Sequence, residues 1–436
     1  MVQVAVVADD LTGANATGVL LGKNGLSTNT LIRRADMGRV DCDCLICPTD
    51  SRSLAGALAY NRVYETANML KSPSIRLYSK RVDSTLRGNL GAETDAILDA
   101  LGSEWLAVAV ACFPQAKRAT VGGRLLVNSV PLHMTEAAAD PKNPIDTPVV
   151  EDNFRKQTKY ATRVAHIEEV SRGAEHVAGL IARASAEGIR IFIFDAISNG
   201  DLDTIASGAV LSGVKFVAVD PGAFTAACVK ALAKGKGAGE APRGAAANKK
   251  ILSVVGSVNG VAAAQVMKFL SAAKCCNVFI DTDKIAGSAA ERATEIMRVR
   301  SRISAGAGDF EILSIVGAGI HLESRIDLAM RAESSGLSAE ELSETINNSI
   351  AEIAEGILAD NRDIAGLYTC GGDISVAVCN RLEAYALDLR AEVVPLASFG
   401  ELKGGRFDGM KFVTKGGMVG DENALVACID YLREKI

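Results

Sequence analysis

Short apolar runs alternate with longer amphipathic ones along most of the chain. Val2–Ala8, Cys44–Cys47, Ile75–Ser79, Leu106–Phe113, Arg190–Phe194 and Lys215–Val219 read as buried strands. Asp10–Gly22 reads as a turn running into a helix, and Gly91–Leu101 and Glu175–Glu187 carry helical period. Strands separated by helical runs predict parallel βαβ units and an α/β class. The pattern lapses over Lys234–Lys250, a stretch rich in Gly, Ala and Lys that reads as a linker. It then restarts with strand Ile251–Val255, helix Gly260–Ala273, strand Asn277–Ile280, helix Ser288–Ile303 and strand Glu311–Ile315. Ser338–Ala359 is a long helical run in which Ser338 and Glu341 fit a capping box, and two strand–turn–helix units follow around Cys370 and Thr414. The expected architecture is two α/β domains with mainly parallel sheets, residues 1–233 and 251–436, with a linker at 234–250 and a cleft between them.

Composition narrows the class. A chain of 436 residues has room for two or three domains at ~100–200 residues each. Hydrophobic residues make up 48% and charged residues 23%, so disorder is not its main theme. Lys plus Arg is 47 and Asp plus Glu is 52, a net charge of −5, which argues against broad binding to nucleic acid or to an anionic membrane. It leaves room for a local cationic pocket. The ten cysteines sit mostly inside apolar runs, with Cys275 and Cys276 adjacent, as expected of a reduced, cytoplasmic protein. Cys42, Cys44 and Cys47 have no second Cys or His cluster beside them and read as core rather than metal ligands. The N-terminal apolar stretch has no basic flank and stops at Asp9 and Asp10, unlike a secretory signal. The longest apolar run, Trp105–Pro114, is about half of the ~20 residues a spanning helix needs.

Candidate chemistry clusters just after the predicted strands, where open α/β sheets hold their ligands. Ala8-Asp9-Asp10-Leu11-Thr12-Gly13-Ala14 places two carboxylates there, able to bind hydroxyls, hold a cation or accept a proton. The alternative is that one aspartate only caps the next helix. Thr49-Asp50-Ser51-Arg52 offers a guanidinium fork for a carboxylate or phosphate. Lys80-Arg81-Val82-Asp83-Ser84-Thr85 packs two cations, an acid and two hydroxyls into six residues, and Arg87-Gly88-Asn89 follows. Pro114–Pro131, with Lys117, Arg118, Gly122, Gly123, Arg124 and Asn128, reads either as a loop over a substrate site or as a hairpin. His133, just beyond, reads as structural.

In the second half the grammar is strand, glycine turn, helix. Val254-Val255-Gly256-Ser257, Cys370-Gly371-Gly372-Asp373 and Thr414-Lys415-Gly416-Gly417-Met418 are turns whose amides can approach phosphate oxygens. None carries the Walker A ending or the dinucleotide fingerprint. Three in one domain point to a nucleotide site.

Taken in order, these motifs resemble the four-carbon acid sugar kinase family, from Val4 to about Leu425. The resemblance implies an N-terminal domain that binds the acid sugar and a C-terminal domain that binds ATP, with Mg²⁺. Family members phosphorylate tetronates such as threonate, erythronate or 3-oxo-tetronates, often on the terminal hydroxyl. At matching positions, Asp10, Arg52, Lys80, Arg81, Val82 and Asp83 would contact the acid sugar. Ser257, Gly371, Gly372, Asp373 and Gly417 would line the nucleotide site, with Lys415 as phosphate partner. The chain departs from the family's pattern at Ala16, where an acid is common, and at Asp220-Pro221-Gly222-Ala223-Phe224, where a Gly-Ser-Gly-like turn is common.

The residue chemistry suits phosphoryl transfer, which is mostly positioning and charge neutralisation. Arg52, Lys80 and Arg81 are expected to hold the sugar carboxylate. Asp83 is preferred over Asp10 as the catalytic base, because its cationic neighbours keep it ionised. Closure of the two domains about the linker would exclude water. The expected partner is thus a small acid sugar rather than nucleic acid or membrane, and a homo-oligomer is compatible with the chain. The competing readings are a hydroxy-acid dehydrogenase and a non-catalytic sensor of acid sugar or nucleotide.

Overall fold

The computed structural model describes residues 2–140, 143–232, 249–321 and 324–436. Most of the expected linker, up to residue 248, lies outside the described residues, while Lys250 opens a strand. The chain divides into two compact units: Met1–Leu31 with Gly38–Gly239, and Ile32–Met37 with Glu240–Ile436.

The first unit is built on parallel strands β1 (Val4–Ala8), β2 (Thr28–Leu31), β3 (Cys44–Pro48), β4 (Leu77–Arg81) and β5 (Trp105–Ala109). A small antiparallel sheet of β6 (Arg118–Val121), β7 (Arg124–Val127) and β8 (Val130–Pro131) interrupts the series. The parallel sheet then resumes with β9 (Thr162–Ala165), β10 (Ile191–Phe194) and β11 (Lys215–Asp220). Pairing runs β2-β3-β1-β4-β11-β5-β10-β9, parallel throughout. Every residue of β1 is buried, as both faces of such a sheet are covered by helices; this is why it reads as an unbroken apolar run. From β1 the chain builds β2 and β3 on one side and β4 onward on the other. The carboxyl ends of β1, β3 and β4 therefore flank the switch point, the place where open α/β sheets hold their ligands.

One strand is displaced from its expected place. The apolar pattern suggests Ile75–Ser79, but β4 runs two residues further and takes Lys80 and Arg81 into the ladder opposite Val7 and Ala8. Tertiary ion pairs make those charges tolerable in a central strand. Gly122 and Gly123, with φ of +58° and +72°, form the two-residue turn of the β6–β7 hairpin, which decides between loop and hairpin.

The second unit contains β12 (Lys250–Val255), β13 (Cys276–Ile280), β14 (Ile312–Gly317), β15 (Ile364–Cys370), β16 (Ala386–Val394), β17 (Ala397–Lys403) and β18 (Lys411–Lys415). The order is β13-β14-β12-β15-β18-β17-β16; the first four pairings are parallel and the last two antiparallel. The long helix Ala339–Asp360 begins with the expected Ser338–Glu341 capping box. One core cluster joins Ile251, Val255, Val266, Phe269, Val413 and Leu432. All ten cysteines are free thiols, and Cys42, Cys44 and Cys47 are buried. Among the described residues no helix is long and apolar enough to cross a membrane.

Phe269 is 1% exposed in that cluster. Phe269→Ala should lower the unfolding free energy by about 3–5 kcal/mol, measured by denaturant titration. A loss well under about 1 kcal/mol would show that the helix Gly260–Ala272 does not pack as described.

Candidate active site

In the first unit, the charged side chains beyond β1, β3 and β4 meet in one lattice. Asp9 is buried and accepts from Arg52 Nε at 2.7 Å and Arg81 Nη1 at 2.8 Å. Asp10 Oδ1 takes Gly13 N at 2.8 Å, so it caps the helix Leu11–Gly22, and also lies 3.0 Å from Arg81 Nη1. Arg52 Nη2 stands 2.9 Å from the same oxygen, close enough for an ion pair though not aligned as a hydrogen bond. Capping and charge pairing thus coexist in Asp10. Among the described residues, the hydrogen bonds on its side chain fall on Oδ1, as do the ion pairs with Arg52 and Arg81, and the side chain is 26% exposed.

Two glycines make this approach possible. A Cβ on Gly13 would lie 1.9 Å from Arg81 Cζ, so any side chain there would occupy the guanidinium's place. Gly88, at φ +95°, sits where a Cβ would come within 2.9 Å of Arg52 Cγ. Asn89 Nδ2 donates to the carbonyls of Ser51 and Leu54, holding the loop that carries Arg52.

Asp83 accepts from Thr85 Oγ1 at 2.5 Å and from Arg87 Nε and Nη2 at 2.8 and 3.2 Å; Arg52 Nη2 lies 3.6 Å away. Arg87 also pairs with Asp140 at 2.9 Å. Burial would raise the Asp83 carboxyl, but Arg52 and Arg87 outweigh it and hold it well below the usual range. Lys80 is placed differently. Its side chain is fully buried, with Nζ 2.6 Å from Glu93 Oε2 and 2.7 Å from the Arg81 carbonyl. Ser51 donates to the other Glu93 oxygen at 2.6 Å and meets Thr49 at 2.7 Å. Lys80 therefore braces the site from within rather than presenting its ammonium to a ligand. Val82 is buried too, and its amide donates to the Asp220 carbonyl.

In the second unit, the ends of β12, β15 and β18 converge. Ser257 N donates to the Cys370 carbonyl and Gly371 N to the Lys415 carbonyl. A Cβ on Gly417 would sit 2.0 Å from Ser257 Oγ and 2.5 Å from Asn259 Nδ2, so only glycine lets the two turns close together. Gly371 has φ +120° and precedes the helix Gly372–Arg381, whose first turn holds the exposed Asp373. Lys415 is 1% exposed, and among the described residues its Nζ hydrogen-bonds only to the Cys370 thiol at 3.2 Å and the Gly416 carbonyl at 3.1 Å. A buried charge without a carboxylate partner is costly. Gln265 Nε2 pins the following loop through the carbonyls of Val419 and Asp421.

Asp9, Arg87, Glu93 and Asp140 join the first lattice, and Asn259 and Gln265 support the second. Asp9 stands in the motifs as one of two candidate carboxylates, and Arg87 stands there without a role. Glu93 sits in a helix 13 positions from its cation, and no local pattern marks it. Among the described residues no group of three His, Cys, Asp or Glu is placed to hold a metal ion.

Residues 4–228 match the family described as a sugar-binding N-terminal domain, and residues 252–425 the one described as a nucleotide-binding C-terminal domain. A D-erythronate kinase of Heliobacterium modesticaldum is 40% identical over 100% of this chain and 98% of its own length. A D-threonate kinase of Salmonella typhimurium is 30% identical, covering 98% of each chain. A solved Haemophilus influenzae protein superposes with a TM-score of 0.70 at 23% identity, over 98% of this chain and 100% of that one, which shows the shared fold. The chain belongs to the four-carbon acid sugar kinase family. It is accordingly a phosphotransferase.

Burial would raise the Asp9 carboxyl as well, yet Arg52, Arg81 and Lys80 lower it from 3.8 to about 2. Its folded pKa is depressed, so its contribution is present above about pH 4 and lost as pH falls through about 2. That amounts to about 2 kcal/mol. Asp9→Asn should be less stable at neutral pH and should lack that part of the wild-type decline between about pH 4 and 2. Parallel declines in urea titrations across that range would show that Asp9 is not ionically held.

Proposed function

We propose that this protein transfers the γ-phosphoryl group of ATP to a hydroxyl of a four-carbon acid sugar, with D-erythronate as first candidate and D-threonate as second. The observation that carries this is Asp10: a carboxylate fixed between two guanidiniums on one oxygen, with the other oxygen left for an incoming hydroxyl. The full-length similarity to a D-erythronate kinase supports the choice of first substrate.

ATP supplies the phosphoryl group, and Mg²⁺ offsets the charge on its oxygens. The amides of the Gly371–Gly372 and Gly416–Gly417 turns and the Ser257 hydroxyl would cradle the phosphates, with the Lys415 charge beneath them. Asp373, in the first turn of the helix Gly372–Arg381, is the carboxylate that would hold Mg²⁺ together with the nucleotide phosphates. In the acid sugar site, Arg52 and Arg81 would orient the acceptor and fix Asp10 through Oδ1. Asp10 Oδ2 receives the hydroxyl hydrogen bond and takes its proton late in transfer, so a strong base is not needed. Asp83, with both oxygens engaged and its basicity depressed, serves better as an organiser of Arg52 and Arg87 than as the base expected from the sequence. Lys80 and Val82 act beneath the site, by holding Glu93 and the sheet.

An ADP-release assay across erythronate, threonate and 3-oxo-tetronate tests the reaction. Turnover of at least one supports it; tight acid-sugar binding without ADP release would favour a sensor. Asp10→Asn should lower kcat by on the order of 10²- to 10⁴-fold, with the KM for ATP within a few-fold of wild type. Gly417→Val should weaken nucleotide binding through its clash with Ser257 while acid-sugar affinity holds, as read by separate calorimetric titrations. Equal loss of both affinities would contradict the assignment of that turn to the nucleotide.

A further inference from the structure

Arg118 is the guanidinium that the site described so far does not use. It opens β6, immediately after a reversal in which Lys117 adopts φ +57°. Phe113 and Arg118 exchange both backbone hydrogen bonds, at 3.0 and 3.1 Å. The hairpin behind it is tied down. Thr120 and Ala196 exchange backbone hydrogen bonds, and Gly123 N donates to the fully buried Asp195 at 2.9 Å. Arg118 thus stands on a held platform, as a ligand-binding group requires.

Its side chain is half-buried and poorly satisfied. Nη1 donates to the neighbouring Ala116 carbonyl, and the buried Nε has no partner. Three arginines of the lattice each own carboxylates: Arg52 and Arg81 share Asp9 and Asp10, while Arg87 holds Asp83 and Asp140. Among the described residues no carboxylate pairs with Arg118. Burial pushes its pKa down, Asp83 partly restores it and Arg87 opposes, so Asp83 and Arg87 are its charged neighbours. A desolvated guanidinium with an idle donor costs free energy until an anion arrives. A carboxylate matches its planar fork.

We propose that Arg118 binds the carboxylate of the acid sugar, leaving Arg52 and Arg81 to hold Asp10 and the acceptor hydroxyl. This rests on the kinase reading above and assigns its selectivity for an acid over a neutral polyol to one residue on the β6–β7 hairpin. The site would then accept short hydroxy acids and discriminate against four-carbon polyols of the same shape.

Calorimetric titration of wild type, Arg118→Met and Arg118→Lys with D-erythronate, with neutral erythritol and with an ATP analogue tests this. The Met variant should bind erythronate on the order of 10- to 100-fold more weakly. The Lys variant should recover part of that loss, while erythritol and nucleotide affinities stay level across all three. If the Met variant does not fold, Arg118→Gln is judged by the same criteria. Erythronate affinity within two-fold of wild type, or erythronate and erythritol weakened alike, overturns the inference. A wild-type protein that phosphorylates tetronates, with Arg118 variants of unchanged affinity, overturns this assignment alone. A wild-type protein that binds no tetronate overturns the kinase reading and this assignment with it.

Discussion

Two aspartates held between two arginines at the switch point of a parallel sheet are the constraint on which the rest depends. Burying four charges is costly unless each is paired and hydrogen-bonded. Here Asp9 and Asp10 follow the end of one strand, Arg81 ends the strand paired on one side, and Arg52 stands in the loop after the strand paired on the other, so backbone pairing brings the partners together. The lattice requires a bare backbone at Gly13, a loop held by Asn89 at Arg52, and a buried Lys80–Glu93 pair below. Its ion pairs are already made, so on the proposed reading little reorganisation would be left for the reaction.

The second unit solves a different problem with different means. The phosphates of a nucleotide need close approach of amides rather than a matched set of acids. Glycine at 417 and 371 leaves the turns free of side chains, while Gln265 and Asn259 hold them in shape. On the proposed reading, Lys415 would supply charge from below the surface, where water competes least.

The α/β class and most strands were legible because doubly covered parallel strands are unbroken apolar runs. The pattern failed where tertiary partners override it. Strand β4 ends in Lys80 and Arg81, which a local reading places outside the sheet, because Glu93 and Asp9 are distant in sequence. The antiparallel pair β16–β17 went unseen because its charges, Asp388, Arg390, Glu401 and Lys403, pair with one another and break any apolar run. The helix Gly56–Leu70 was missed since its buried face is mostly small, with Ala59, Val63, Thr66 and Ala67. The motifs marked where chemistry sits but not who faces whom. Asp10 and Asp83 looked alike as acids, and only their partners separate an available carboxylate from a saturated one.

If Asp10 receives the hydroxyl that is phosphorylated, a crystal structure with a four-carbon acid sugar and a non-hydrolysable ATP analogue should show one sugar hydroxyl within hydrogen-bond distance of Asp10 Oδ2, with Arg52 and Arg81 still paired to Asp9. A sugar bound with Asp10 contacting none of its hydroxyls, or Asp83 freed from Arg87 to take that place, would contradict it.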